Sequence, residues 1–276
     1  MNTLTLPPSL EANEPPERLG RSRADVALLV ASRSSGEIVH GRFYDLGRFV
    51  GSGDLLVVNT SATLPAAVPA RLEGQAIELR LSTPAADDDW VVELRRGDRA
   101  RYGRPPIGAR LELPAGAHAD LLAPYAGGER LCLARLSLAQ PLGDYLRDHG
   151  RPIRYDYVAR AWPIDAYQTV FALDPGSAEM PSAGRPFTTE LVTSLVARGV
   201  FIAPITLHTG VSSLERGESP YPERYSVPAA TARLANAVHT WGGRVIAVGT
   251  TVVRALETVA GPDGALAPGE GSTSLI

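Results

Sequence analysis

Between about Ala70 and Leu138 the chain is cut into short β-like pieces: Ile77 to Leu81, Trp90 to Leu94, Arg110 to Leu113 and Arg130 to Leu136. Clusters of Pro, Gly and Asp separate them. Pieces this short do not make stable helices, and several short strands at close spacing favour a small all-β module such as a barrel. The texture differs on either side. Asp54 to Val58 is an apolar run bounded by Gly and Asp, which suits a strand buried on both faces, and Val26 to Val30 reads the same way. SSGEIV, between them, reads as a hairpin turn.

Beyond the β-rich stretch, strand and helix alternate. Thr188 is a helix cap, with Leu191, Val192, Leu195 and Val196 on one face and Gly199 as the stop. Val200 to Leu207 reads as a strand. Pro228 opens a second helix with Leu234, Val238 and Trp241 at helical spacing, stopped by Gly242 and Gly243. Arg244 to Val248 reads as a buried strand and Val252 to Ala260 as a third helix. The predicted fold class is α/β: a large mixed α/β domain from residues 1–69 and 138–276, with a small β-barrel domain, residues 70–137, inserted. Sites are expected near strand C-termini.

Composition excludes several chemistries. All 27 basic residues are Arg, so P-loop, Schiff-base and pyridoxal-phosphate lysines are ruled out. The single Cys132 excludes a disulfide framework and a Cys-based metal site. Net charge is −3, so any polyanion site has to be local. The N-terminus lacks a basic start followed by an apolar stretch, and no apolar run is long enough to span a bilayer. A cytoplasmic protein is expected.

Three local features could carry chemistry. In RVIAVGTTVVRALE a strand runs through Gly249-Thr250-Thr251 into a helix. Backbone N–H groups and the two hydroxyls then meet the positive end of a helix dipole, which suits a carboxylate, phosphate or ribose hydroxyl. An ordinary helix cap reads the same. Arg254 and Glu257 follow on that helix, as site residues or as a surface ion pair worth about 0.3–0.5 kcal/mol. In TLHTG, His208 ends a strand and Gly210 opens a loop, a placement suited to proton transfer, though a lone His is also compatible with a structural role. The remaining histidines are scattered, so no metal site is expected. The third feature is RRGDRARYGRPPIGAR, residues 95–110, in which Arg95, Arg96, Arg99, Arg101, Tyr102 and Arg104 could grip phosphates and stack on a base. A solvated hairpin balancing Asp87, Asp88 and Asp89 is the alternative.

The segments GGRVIAVGTTVVRALE, AYQTVFAL, MPSAGRPFTTELV, ITLHTG, SGEIVHGRFYDL and GDLLVVNT occur in an order and spacing that resemble the S-adenosylmethionine:tRNA ribosyltransferase-isomerase family of queuosine biosynthesis, over Arg18 to Ile276. The resemblance implies a large α/β domain with an inserted β-barrel. It implies ribosyl transfer from S-adenosylmethionine, as substrate and without a metal, to 7-aminomethyl-7-deazaguanine in tRNA. Epoxyqueuosine forms, and adenine and methionine leave. Carried onto this chain, Asn59, Ser182, Gly184, Arg185, Thr188, Gly210, Gly249, Thr250, Thr251, Arg254 and Glu257 shape the substrate site, with His208 and Glu223 as acid and base. The resemblance implies tRNA as partner; a small adenosyl ligand, no membrane and a monomer are expected beside it.

The departures are polar. Where the family shows NDTRV this chain has Asn59-Thr60-Ser61-Ala62-Thr63, and the family's PTAGLHFT is PSAGRPFT with Pro186 at the His. GTF becomes Val211-Ser212-Ser213-Leu214, and HxMHxE becomes ESPYPE, keeping Glu223. The terminal GSTSLI fits GxTDLFI, after which family members continue through a further segment. The expectation is retained ligand binding with very weak or absent ribosyl transfer. A non-catalytic RNA-binding paralogue and an enzyme using S-adenosylmethionine or a nucleotide on another substrate, its pocket rebuilt around Arg185 and the Ser212-Ser213 loop, are the alternatives.

Overall fold

The computed structural model describes residues 7, 12–97, 100, 102–155, 157–158, 160–211 and 221–275. In chain order the strands and helices are β1 (Ala27–Ala31), β2 (Ile38–Arg42), β3 (Leu55–Asn59), β4 (Ser61–Thr63), β5 (Ala67–Leu72), β6 (Gln75–Pro84) and β7 (Trp90–Arg96). Next come β8 (Arg110–Glu112), β9 (His118–Pro124), β10 (Leu131–Ser137), α1 (Leu142–His149), β11 (Asp174–Ser177), α2 (Thr189–Ala197) and β12 (Phe201–Leu207). The chain closes with β13 (Glu223–Val227), α3 (Ala229–Thr240), β14 (Val245–Ala247), α4 (Thr250–Val259) and β15 (Gly269–Thr273).

The apolar run that forms β3 lies in a five-stranded mixed sheet of order β14-β3-β12-β13-β15, with β14, β3 and β12 parallel and β13 antiparallel to both of its neighbours, β12 and β15. Every residue of β3 is buried, because successive side chains point to opposite faces and both faces are covered. Leu55 and Val57 pack with Ala232, Ala235 and Val238 of α3 and with Val252 and Ala255 of α4. Leu56 packs on the other side with Phe187 and Leu195. Each such leucine contributes about 1.5–3 kcal/mol by leaving water.

The β-rich stretch closes into a six-stranded barrel of order β10-β7-β6-β5-β8-β9, filled by Leu79, Leu81, Val92, Leu111, Leu121 and Cys132 among others. Burial pushes the Cys132 thiol up to about 12, which leaves it unreactive near neutrality. Two barrel strands, β5 and β9, were not among the four sequence pieces. Pro69 interrupts β5 and Asp120 interrupts β9, so neither shows an unbroken apolar run. The barrel strands accordingly begin at Ala67, ahead of Ala70.

Four expectations require correction. Strand β14 is half-buried rather than buried, because it lies at the edge of the sheet. Strand β1 pairs with β2 in a two-stranded hairpin and is not buried on both faces: Leu29 is 57% exposed, since no second layer covers it. Val196 of α2 is also exposed, with Leu195 its buried residue. Trp241 ends α3 rather than joining its inner face, and its indole N–H donates to the Gly53 carbonyl at 3.1 Å. Thr188 does cap α2, its hydroxyl accepting from the Leu191 N–H at 3.2 Å, and Gly199 follows it with φ +83°. Among the described residues no helix is long and apolar enough to cross a membrane.

The start of β3 is fastened by Asp54, which accepts from the Gly51 and Arg244 backbone N–H groups at 2.9 and 3.0 Å and from the Arg244 guanidinium. The Arg244 hydrogen bonds hold its carboxyl down at about 2, against an ordinary 3.8. A lowered carboxylate stabilises the fold above the unfolded-state value and loses that contribution as pH falls through the folded one. Asp54→Asn is therefore expected to cost about 1.5–3 kcal/mol at neutral pH. It should also remove stability otherwise lost between about pH 4 and pH 2. Urea titrations at pH 7 and pH 3 check this: a variant deficit as large at pH 3 as at pH 7 contradicts it.

Candidate active site

The parallel strands β14, β3 and β12 deliver their C-terminal ends to one edge of the sheet, and the barrel faces that edge. A cleft of about 300 Å³ lies between them. Ser82, Thr83, Val91, Tyr125 and Leu131 line it from the barrel side. Thr209, Gly210, Glu223, Thr250, Thr251 and Arg254 line it from the sheet side. Thr250 and Thr251 reach it because the chain turns at Gly249, φ +96°, directly into α4.

Glu223 is 4% exposed. It accepts from the Gly210 N–H at 2.8 Å and is ion-paired with Arg254, whose guanidinium also donates to the carbonyls of Leu275 and Thr273 at 2.7 and 3.2 Å. Burial raises the Glu223 carboxyl above its usual range; the Gly210 N–H and Arg254 offset only part of that rise. A buried carboxyl held in that way exchanges its proton nearer neutrality than a surface one does, which suits an acid or base.

His208 is not among the residues that line the cleft. Its Nδ1 lies 2.7 Å from the Ser61 hydroxyl, which lies 2.6 Å from that of Ser177, and Ser177 accepts from the Thr209 N–H at 3.0 Å. The direction Ser177 to Ser61 to His208 gives each hydroxyl proton an acceptor and makes Nδ1 an acceptor too, so the ring proton sits on Nε2. Burial, reinforced by Arg224, lowers the His208 pKa, with Asp174 opposing, so the neutral ring is favoured. Geometry therefore gives His208 a positioning role between β4, β11 and β12.

The other site residues predicted from sequence divide in four. Asn59 spends its whole capacity internally. Its amide donates to Leu207 O and Thr251 Oγ1 at 2.8 and 3.3 Å, and its oxygen accepts from the Ser61 and Leu207 N–H groups, both at 3.0 Å. Thr188 is a helix cap, and Gly184 is buried against Thr169 and Phe171. Ser182 and Arg185 line a separate cavity, where Arg185 donates to Ala166 O at 2.9 Å and pairs with Glu17. Glu257 is exposed and does not pair with Arg254, which turns to Glu223 instead.

The arginine run is also divided. Arg95 is held by the buried Glu93 at 2.7 Å, Arg104 by Glu129, and Tyr102 packs on the barrel core. Arg96 is exposed, while Arg99 and Arg101 lie outside the described residues, as do Ser212 and Ser213. Glu93 also gathers Arg130 at 3.1 Å, and Arg130 lies 5.7 Å from the centre of the Tyr221 ring. Residues that sequence reading missed, Ser61, Ser177, Tyr125 and Ser82, carry no local signal: each joins the site through partners far away in the chain. Among the described residues no group of three or more His, Cys, Asp or Glu is placed so that it could hold a metal ion.

Gly249 needs its glycine. A Cβ there would lie 2.8 Å from the Ala183 Cβ at a φ that side chains rarely adopt, so Gly249→Val strains the turn, and Gly249 itself does not line the cleft. Thr250 is exposed and lines the cleft, which makes Thr250→Ala the cleaner probe. If its hydroxyl meets a ligand, affinity is expected to fall about 2- to 12-fold, the worth of one neutral hydrogen bond, with the melting temperature unchanged. Calorimetry giving equal affinities would leave the turn as a helix cap alone.

Comparison with known proteins adds the family. Residues 3–276 match the model of a family described as queuosine biosynthesis protein. The S-adenosylmethionine:tRNA ribosyltransferase-isomerase of Moorella thermoacetica is 36% identical over 290 residues, covering 98% of this chain and 80% of that protein. The enzyme of that name from Symbiobacterium thermophilum is 37% identical over 289 residues, with the same coverage. The crystal structure of the Thermotoga maritima S-adenosylmethionine tRNA ribosyltransferase is similar over 99% of this chain and 76% of that one, at 28% identity and a TM-score of 0.45. With the family model matched across nearly its whole length, and relatives above 30% identity along almost all of it, this chain belongs to the queuosine biosynthesis protein family.

Proposed function

We propose that this chain binds S-adenosylmethionine in the cleft between the barrel and the sheet edge, and that it is a slow S-adenosylmethionine:tRNA ribosyltransferase-isomerase. The observation that carries this reading is the buried Glu223 carboxyl, raised by burial and set between the Gly210 N–H and Arg254 in the wall of a cleft that also receives the N-terminus of α4. Helix N–H groups with the hydroxyls of Thr250 and Thr251 suit the ligand's carboxylate or ribose oxygens. Tyr125 and Tyr221, ring centres 5.8 Å apart, offer aromatic faces to a sulfonium cation.

Ribosyl transfer asks for two proton movements. A base removes a proton from the carbon beside the sulfonium, which its positive charge acidifies, and an acid assists the departure of adenine. Glu223 suits the first, and once protonated it holds a proton available for the second. Arg254 keeps the carboxylate oriented, and the Ser177–Ser61–His208 chain holds the strand ends that frame the cleft.

The test is to incubate the protein with radiolabelled S-adenosylmethionine, with and without precursor tRNA, and to separate free adenine by chromatography. Adenine that forms only with tRNA supports the reading. Adenine formed equally without tRNA favours an enzyme acting on another acceptor. No adenine after prolonged incubation favours a non-catalytic RNA-binding protein, and either of these two results overturns the proposal.

A further inference from the structure

The outer wall of the barrel carries a second, larger concavity, about 650 Å³. Arg71 of β5, Arg96 at the end of β7, and Arg151 and Arg154 beyond α1 all line it. Among the described residues two carboxylates face them. Glu78 is already engaged by the Arg80 guanidinium at 2.7 Å, and Glu112 stands opposite Arg71 in the β5–β8 pairing. The groove is therefore basic in a chain whose net charge is −3.

Trp162 and Tyr167 line this groove and also the neighbouring cavity of about 360 Å³. In that second space the rings of Tyr155 and Tyr157 lie parallel, 5.5 Å apart at an interplanar angle of 2°, and Tyr157 is 46% exposed. The Trp162 indole nitrogen, in the wall shared by both spaces, is buried and has no hydrogen-bond partner among the described residues.

We infer that groove and aromatic cavity together form one track for single-stranded RNA, the arginines following the phosphates and the tyrosine stack receiving an unpaired base. Planar guanidinium forks match phosphate oxygens, and an exposed aromatic face accepts any base by stacking. A basic groove opening onto a stacking platform is how unpaired RNA is held, whereas a duplex would offer its phosphates but keep its bases stacked. Of the described members of the arginine run picked out in the sequence, only Arg96 joins the track. The inference deepens the proposed function and rests on its tRNA partner, and it assigns the RNA surface to residues outside the S-adenosylmethionine cleft.

The probe is a fluorescein-labelled tRNA anticodon stem-loop, titrated by anisotropy at several salt concentrations against the full chain. Combined Arg71→Ala, Arg96→Ala and Arg151→Ala should lower the slope of log affinity on log salt by about 2, roughly 0.7 per lost single-strand phosphate contact. These side chains are exposed, so the melting temperature should hold. Tyr157→Ala should weaken binding roughly 5- to 150-fold, the worth of one stacked base, with the slope unchanged because no charge is lost. Wild-type binding whose slope survives the triple substitution, or whose affinity survives Tyr157→Ala, overturns the track and leaves the proposed function standing. No binding by the wild type overturns both.

Discussion

Against the same precursor tRNA, epoxyqueuosine formation by this chain is expected to run at least about 10²-fold, and as much as 10⁴-fold or more, below that of the Moorella relative, with S-adenosylmethionine affinity retained. One general acid or base is worth about 10² to 10⁴ in rate, and groups that act together lose more than a single deletion suggests. Against the family pattern, Thr60 stands for an Asp, Ala62 for an Arg, Pro186 for a His and Tyr221 for a second His. None of these supplies a charge or a proton transferred near neutrality. Their surroundings agree with that. The Thr60 hydroxyl is taken up by Asp174 at 3.0 Å and the Ile205 carbonyl at 3.2 Å. Pro186 lines the aromatic cavity, while Tyr221 contributes a ring to the cleft. Mass spectrometry of tRNA nucleosides over time, alongside calorimetry with S-adenosylmethionine, measures both halves. A rate equal to the relative's would show that Glu223 and Arg254 suffice and that the replaced positions are dispensable.

Arg254→Ala is expected to destabilise the fold by about 3–5 kcal/mol, the cost of stripping one partner from a buried pair. Glu223 would be left with the Gly210 N–H alone in a site where its carboxyl is 5% exposed. The carbonyls of Thr273 and Leu275 would also lose their donor, loosening the strand β15 end of the sheet. The pH dependence has a definite sign. Burial already raises the Glu223 carboxyl above the ordinary 4.5, and removing Arg254 raises it further. The folded variant then binds more protons than the unfolded chain above that value. Its stability accordingly falls as pH climbs through the window between the two values, and its deficit is greatest near neutrality and shrinks toward pH 4. Urea unfolding of Arg254→Ala at several pH values measures this, and adding Glu223→Gln should recover part of the loss. A cost below about 1 kcal/mol would mark the pair as solvent-screened.

Much of the architecture was legible in the chain because the features concerned are local. The uninterrupted apolar run of β3 announces a strand covered on both sides, since alternate side chains need cover on alternate faces. Thr188 and Gly199 mark the ends of α2 through backbone groups within a few residues of themselves. The strand-turn-helix at Gly249 was equally readable, and so were the Pro, Gly and Asp clusters that segment the barrel. Strands β5 and β9 were not, because Pro69 and Asp120 break their pattern and only neighbours in the closed barrel make strands of them.

The site followed the opposite rule. Glu223, Thr250 and Arg254 could be named from motifs, but nothing in the chain says that Arg254 turns toward Glu223, 31 positions away, rather than toward Glu257 one helical turn on. That choice belongs to packing: the sheet buries Glu223 beside α4, and a buried carboxylate needs its cation more than an exposed one does. The same holds for His208, which the sequence offers as a free proton carrier and the fold ties to Ser61 and Ser177. It holds too for the arginine run, whose members share a stretch of chain yet part company because a strand sends neighbouring side chains to opposite faces. Arg95 goes to Glu93 and Arg96 to the groove. Local chemistry selected the elements and their caps; long-range burial decided which charges met, and therefore which residues could act.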